Sequence, residues 1–136
     1  MILLACIEER GGILFFHKRV SRDRAVIEDI LSMQKAPARL FVTPYSATLF
    51  PTGRVIVSDH PDMDTGAGDL YFLEDGAVPP SGIEKIILYQ WNRRYPFDRA
   101  FSLSPDALGL VKISEEVFSG VSHEAMTKIT YEAQKK

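Results

Sequence analysis

Two clusters of side chains in this sequence carry groups that could do chemistry. The first is His17, Lys18, Arg19, Arg22 and Asp23, an imidazole, three cations and a carboxylate within seven residues. The second is Ser122, His123, Glu124 and Lys128. Imidazoles exchange protons near neutral pH, guanidinium groups clamp carboxylates and phosphates through paired N–H donors, and a nearby carboxylate can orient or accept a proton. His17 and His123 are therefore the candidate acid–base pair, with Asp23 as orienter or base. Arg19, Arg22, Ser122 and Glu124 are the candidate ligand-binding residues. A plainer reading of the same residues makes Arg22, Asp23 and Glu124 exposed charges of a helix start and a hairpin, with pairing energies of roughly a few tenths of a kcal/mol.

Other motifs carry less. Asp59-His60-x-Asp62-x-Asp64 has the residue types of a hard-metal site but lacks the glycine and distal glutamate of an EF-hand, so it reads as an acidic loop. Tyr89, Trp91, Tyr95 and Phe97 beside Arg93-Arg94 could stack bases or anchor a protein partner. Aromatics spaced by two on a strand also form one packed face. Cys6 is the only cysteine, which excludes an intramolecular disulfide and a cysteine metal cage, and its apolar setting reads as an inert core thiol.

The elements that must position these groups follow from periodicity. Ile2 to Ile7 is an unbroken apolar run, the pattern of a central strand buried on both faces. Gly11-Gly12 turns the chain into a second short run, Ile13 to Phe16. Ser21 is a candidate N-cap, Asp23 lies where a helix dipole favours an anion, and Val26, Ile27, Ile30 and Leu31 form one apolar stripe of a helix reaching Met33. Strands are expected at 39–43, 54–58, 69–73 and 85–91, with a short helical segment opened by Pro44 and a surface loop over 59–68. Weaker strand signals lie at 100–103, 109–113 and 129–133, and the last stretch could instead be a helix capped at Ser122. The strand 85–91 could be an exposed edge that pairs in a homodimer or an internal strand. Many strands with few helices imply an α/β fold with one mixed sheet.

Composition narrows the function classes. Of 136 residues 46% are hydrophobic, and 16 Lys+Arg against 18 Asp+Glu leave a formal net charge of -2, which gives no global field to gather a polyanion. Nucleic acid is thus a disfavoured partner. The opening apolar run ends at Glu8-Glu9-Arg10, far short of the roughly 20 residues of a membrane span, and it lacks the features of a signal peptide. A cytoplasmic location is the expectation.

The order of these motifs resembles dihydrofolate reductase over residues 2–60 and 69–134. The resemblance implies a mixed, mostly parallel sheet with few flanking helices, formed by 1–136 as a single domain. It implies that Asp23 stands where the family's pteridine-binding carboxylate lies, and that the first loop and last hairpin are neighbours, so that the two polar clusters share one cleft. It also implies a lost dinucleotide site. Where the family has Gly-Arg-x-Thr at a helix start to hold NADPH phosphate, this chain has Thr43-Pro44-Tyr45-Ser46 and keeps only the hydroxyl of Ser46. Where the family has a glycine pair beside the pyrophosphate, this chain has Glu74-Asp75, which would repel it. The strand 84–89, the loop Tyr95-Pro96-Phe97-Asp98 and the hairpin Val121-Ser122-His123-Glu124 also resemble family segments, whereas the tryptophan of the family's first loop is absent.

The expected function is binding of a small anionic ligand or a protein partner without reductase activity and without a cofactor. The alternatives are an NAD(P)H-dependent reductase using Asp23, with Ser46 and Arg54 among its cofactor contacts, and a metal-independent ribonuclease or other acid–base hydrolase using His17 and His123. Short bacterial chains with a similar Arg-x-Ser-Arg-Asp and Ser-His-Glu are sometimes called ribonuclease Z. The paired-zinc histidine cluster that such an enzyme needs is missing from a sequence with three isolated histidines.

Overall fold

A computed structural model describes residues 1–7, 12–15, 18–19, 24–35, 38–51, 53–74, 82–91, 99–100, 103, 105–118 and 126–133, with 12–15, 18–19, 91, 99–100 and 118 described by backbone. The strands are β1 (Ile2–Ile7), β2 (Gly12–Phe15), β3 (Lys18–Arg19), β4 (Leu40–Val42), β5 (Ile56–Val57), β6 (Leu70–Phe72), β7 (Lys85–Trp91), β8 (Arg99–Ala100), β9 (Leu110–Phe118) and β10 (Met126–Ala133). The helices are α1 (Arg24–Met33), α2 (Pro44–Ala47) and α3 (Pro61–Asp64), with a 3-10 turn at Asp106–Leu108.

Seven strands form one sheet in the order β5-β4-β6-β1-β7-β10-β9, and β3-β2-β8 form a small second sheet. From β5 to β7 all pairings are parallel, while β10 runs antiparallel to both β7 and β9. This is the mixed α/β sheet expected from the strand and helix pattern, and it is mostly parallel, as the family resemblance implies.

β1 is continuous and apolar because both faces of the sheet are covered. Leu4 and Cys6 point into a core with Val26, Ile27 and Ile30 of α1, Phe72 of β6 and Tyr89 of β7. Leu3, Ala5 and Ile7 point the other way, against Tyr71, Ile86, Leu88 and Leu110. The strand's period of two and the helix's period of 3.6 thus meet in the first of these cores.

Three expectations are refined. The segment 85–91 is internal, flanked by β1 and β10. Residues 126–133 form a strand, which overrules a helix there, because their backbone pairs with β7 on one side and β9 on the other. The loop over 59–68 contains the single turn α3, started by Pro61, and Ser58 Oγ donates a short hydrogen bond to Asp64 nearby. No helix among the described residues is long and apolar enough to cross a membrane.

Candidate functional site

The polar groups of interest gather at the C-terminal ends of the parallel strands, where open α/β sheets bind their ligands. Cys6 of β1 is opposite Tyr89 of β7, Tyr89 is opposite Lys128 of β10, and Lys128 is opposite Glu116 of β9. Residues directly opposite one another share a face, so these four side chains form a row across the sheet, with α1 over its Cys6, Tyr89 and Lys128 members.

α1 supplies the fifth member, Asp29. Val26, Ile27 and Ile30 face the sheet and are buried, and Asp29 stands at the margin of that stripe, one helical turn before Met33. Tyr89 Oη donates a 2.5 Å hydrogen bond to Asp29 Oδ2, and Lys128 Nζ lies 2.8 Å from the same oxygen. The ammonium is also 3.8 Å from Met33 Sδ and 5.8 Å from the centroid of the Tyr89 ring. Side-chain exposure is 34% for Asp29 and 17% for Lys128, whereas Tyr89 has none, so solvent reaches the carboxylate from one side.

Burial pushes the Tyr89 hydroxyl far above its ordinary pKa of 10, and the hydrogen bond to the Asp29 carboxylate raises it further. Tyr89 is a fixed donor at neutral pH and not a proton-transfer group. With Oδ2 taken up by both Tyr89 and Lys128, the arrangement offers a ligand a charged, pre-oriented floor in a partly dry setting.

Next to this row lie the ends of β4 and β6. β4 runs into Thr43 and the four-residue α2, whose first residue, Pro44, has no N–H to give. Thr43 adopts extended backbone before the turn, and Ser46 N and Ala47 N both donate to its carbonyl. Ser46 is completely buried, and Thr43 Oγ1 donates to its Oγ at 3.5 Å. A ligand reaching that hydroxyl would have to open the turn. At the end of β6, Leu73 N still bonds Leu4 O, and the next residue, Glu74, is buried at 4% exposure. Arg54 Nη2 reaches Leu31 O at 3.4 Å, at the C-terminal end of α1, where a cation complements the helix dipole.

The opposite end of the sheet is built for stability. Asp69, before β6, accepts from Arg39 N at 3.1 Å, Arg39 Nε at 3.3 Å, Arg39 Nη2 at 2.7 Å and Gly66 N at 2.8 Å. These donors, the Arg39 guanidinium foremost, hold its carboxyl below the usual carboxylate range against the opposing effect of burial. The same group raises the Arg39 pKa. An open depression of about 430 Å³ beside the pair is lined by Ala38, Arg39, Gly66, Ala67, Gly68 and Asp69. On the second face of the sheet, burial, aided by the charge of Asp62, pushes the Tyr71 hydroxyl up to about 12.

A solved structure with this architecture exists. A dihydrofolate reductase from Enterococcus faecalis, complexed with NADP(H) and RAB-propyl, superposes with a TM-score of 0.69 over 98% of this chain and 96% of that one, at 12% sequence identity. The chain has the dihydrofolate reductase fold. No family model matches the sequence, and no curated protein matches it either. An identity of 12% on a superposition this extensive means that the dihydrofolate reductase scaffold is kept while most side chains differ.

Of the residues singled out in the sequence, His17, Arg22, Asp23, Ser122, His123 and Glu124 lie outside the described residues. Arg19 is described by the backbone of β3, antiparallel to β2, and Ser46 is buried in α2. Tyr89 is likewise buried and offers no ring face for stacking a base. Asp29 escaped sequence reasoning. Its signal was a carboxylate three residues after Val26 and four before Met33, at the edge of an apolar stripe, where an unpaired charge would be costly and a distant partner is therefore implied. Among the described residues no group of three His, Cys, Asp or Glu side chains could hold a metal ion.

Proposed function

We propose that this protein uses the dihydrofolate reductase scaffold to bind a small anionic ligand at the C-terminal end of its sheet and transfers no hydride. The observation that carries this reading is the buried carboxylate of Glu74 at the end of β6, next to β1. In the resemblance drawn from the sequence, that position belongs to glycines that let a pyrophosphate approach backbone. A glutamate there puts a side chain where a pyrophosphate would have to approach the backbone, and its oxygens are acceptors where the phosphate needs donors. Pro44 at the start of α2 works in the same direction by withholding a backbone donor.

The anionic character of the ligand rests on the cations Lys18, Arg19 and Arg22, with His17 and His123 as the titratable residues that the sequence offers. Lys128 is already neutralised by Asp29, so a ligand anion would need those added cations.

The test is the thermal unfolding midpoint with millimolar NADPH, with dihydrofolate, with both, and with inorganic phosphate. A ligand that binds only the folded chain at a hundredfold excess over its Kd stabilises it by about 2.7 kcal/mol. The expected result is no shift with NADPH and a rise with phosphate that Arg19→Ala or Arg22→Ala removes. A shift with NADPH would overturn the reading in favour of a reductase using Asp23.

A further inference from the structure

β9 is the long outer strand of the seven-stranded sheet. It has nine residues and, among the described residues, pairs with β10 alone. All of 111–117 are exposed, including Val111 at 40%, Ile113 at 52% and Val117 at 69%. The other edge, β5, has two residues, one of the ways proteins keep an edge from pairing with another chain. A nine-residue edge carrying three exposed β-branched residues and no proline is not protected in that way.

Its charges decide what can cover it. The ladder to β10 shifts between Ser114 and Lys112, leaving Ile113 as the extra residue of a bulge. Lys112 is then opposite Tyr131 and Glu115 is opposite Ile129, so both lie on one face, and Lys112 Nζ stands 3.3 Å from Glu115 Oε2. Leu110 and Val117 share that face, while Val111, Ser114 and Glu116 lie on the other, opposite Glu132, Thr130 and Lys128.

We infer that β9 pairs antiparallel with β9 of a second copy of this chain, about a dyad at Ser114. This register keeps every residue on its own face. With Ile113 bulged out of the new ladder as it is out of the ladder to β10, it opposes Ser114 to Ser114, Lys112 to Glu115 twice, Val111 to Glu116 twice and Leu110 to Val117 twice. Val117, the most exposed apolar residue among 111–117, lands beside Leu110, which is buried in the core of its own chain at 3% exposure. The charges of Lys112 and Glu115, which would deter an unrelated strand, become complementary in the self-pair, an isologous contact of the commonest oligomer symmetry. One sheet then runs through both copies, leaving the ends of β1 and β7 at the candidate site uncovered.

The test is sedimentation equilibrium of the full chain from micromolar to millimolar concentration. A concentration-dependent dimer is expected. Lys112→Glu and Glu115→Lys should each raise the dimer dissociation constant by at least roughly tenfold, because each puts like charges opposite one another at two places. An equimolar mixture of the two variants restores both oppositions and should re-form a dimer, which a variant that merely unfolded could not do. A wild-type chain that stays monomeric, single variants that dimerise as the wild type does, or a mixture that stays monomeric would each overturn the inference.

Discussion

Tyr89 and Asp29 are 60 residues apart in sequence, and the tyrosine hydroxyl donates a 2.5 Å hydrogen bond to the carboxylate while Lys128 holds the same oxygen at 2.8 Å. A hydrogen bond to a charged group contributes about 1.5–3 kcal/mol. Tyr89→Phe should therefore lower stability by about 1.5–3 kcal/mol, at the upper end if the vacated oxygen sites stay dry. Urea unfolding measures this, and an unchanged midpoint would mean that the carboxylate is solvated without the phenol.

Lys128 and Asp29 should couple. Removing either charge alone leaves the other partly buried and uncompensated, so Lys128→Met and Asp29→Asn together should cost less than the sum of the two single changes. A double-mutant cycle reads the difference directly. Strict additivity would show that the 2.8 Å pair contributes nothing beyond each residue's own packing.

Arg39 and Asp69 form an unequal pair, with side-chain exposures of 53% and 6%. Truncating Asp69 removes the acceptor from the part-buried N–H groups of Arg39 and Gly66, so Asp69→Ala should cost about 1–3 kcal/mol in urea unfolding, whereas Arg39→Ala should cost less because solvent screens that exposed side chain.

The same carboxylate gives a pH dependence with a definite sign. Its folded pKa lies below the ordinary 3.8, so the folded chain binds fewer protons than the unfolded one in that range. Its stabilisation is complete above the unfolded pKa and is lost as pH falls through the lower folded value. Acid titration of unfolding should show a component below about pH 4 that Asp69→Asn abolishes.

Gly109 closes the 3-10 turn before β9 at φ 75°, and a Cβ built there meets no atom within 4 Å. The cost of Gly109→Ala is then conformational alone, about 1–2 kcal/mol, and calorimetry should find it without any change in the fold.

Much of the architecture was legible in the order of residues, because local patterns encode it. The six apolar residues of β1 fit a strand covered on both sides, and the spacing of Val26, Ile27 and Ile30 fits one helical face presented to it. Together with the turn residues between elements, these periods were enough to indicate a mixed α/β sheet. Thr43-Pro44 and Glu74 could also be singled out, since a missing donor and a misplaced charge are properties of residue type.

What the tertiary structure decided is which distant groups meet. Nothing local to Asp29 names Tyr89 or Lys128, because a strand's register against its neighbours is fixed by the whole sheet and not by its own sequence. For the same reason 85–91 could be read as edge or interior until β10 was seen to lie along it. β9 shows the converse: its strand signal stops at 113 because 111–117 are exposed on both faces, and a stretch without a buried face lacks the alternation by which strands are recognised.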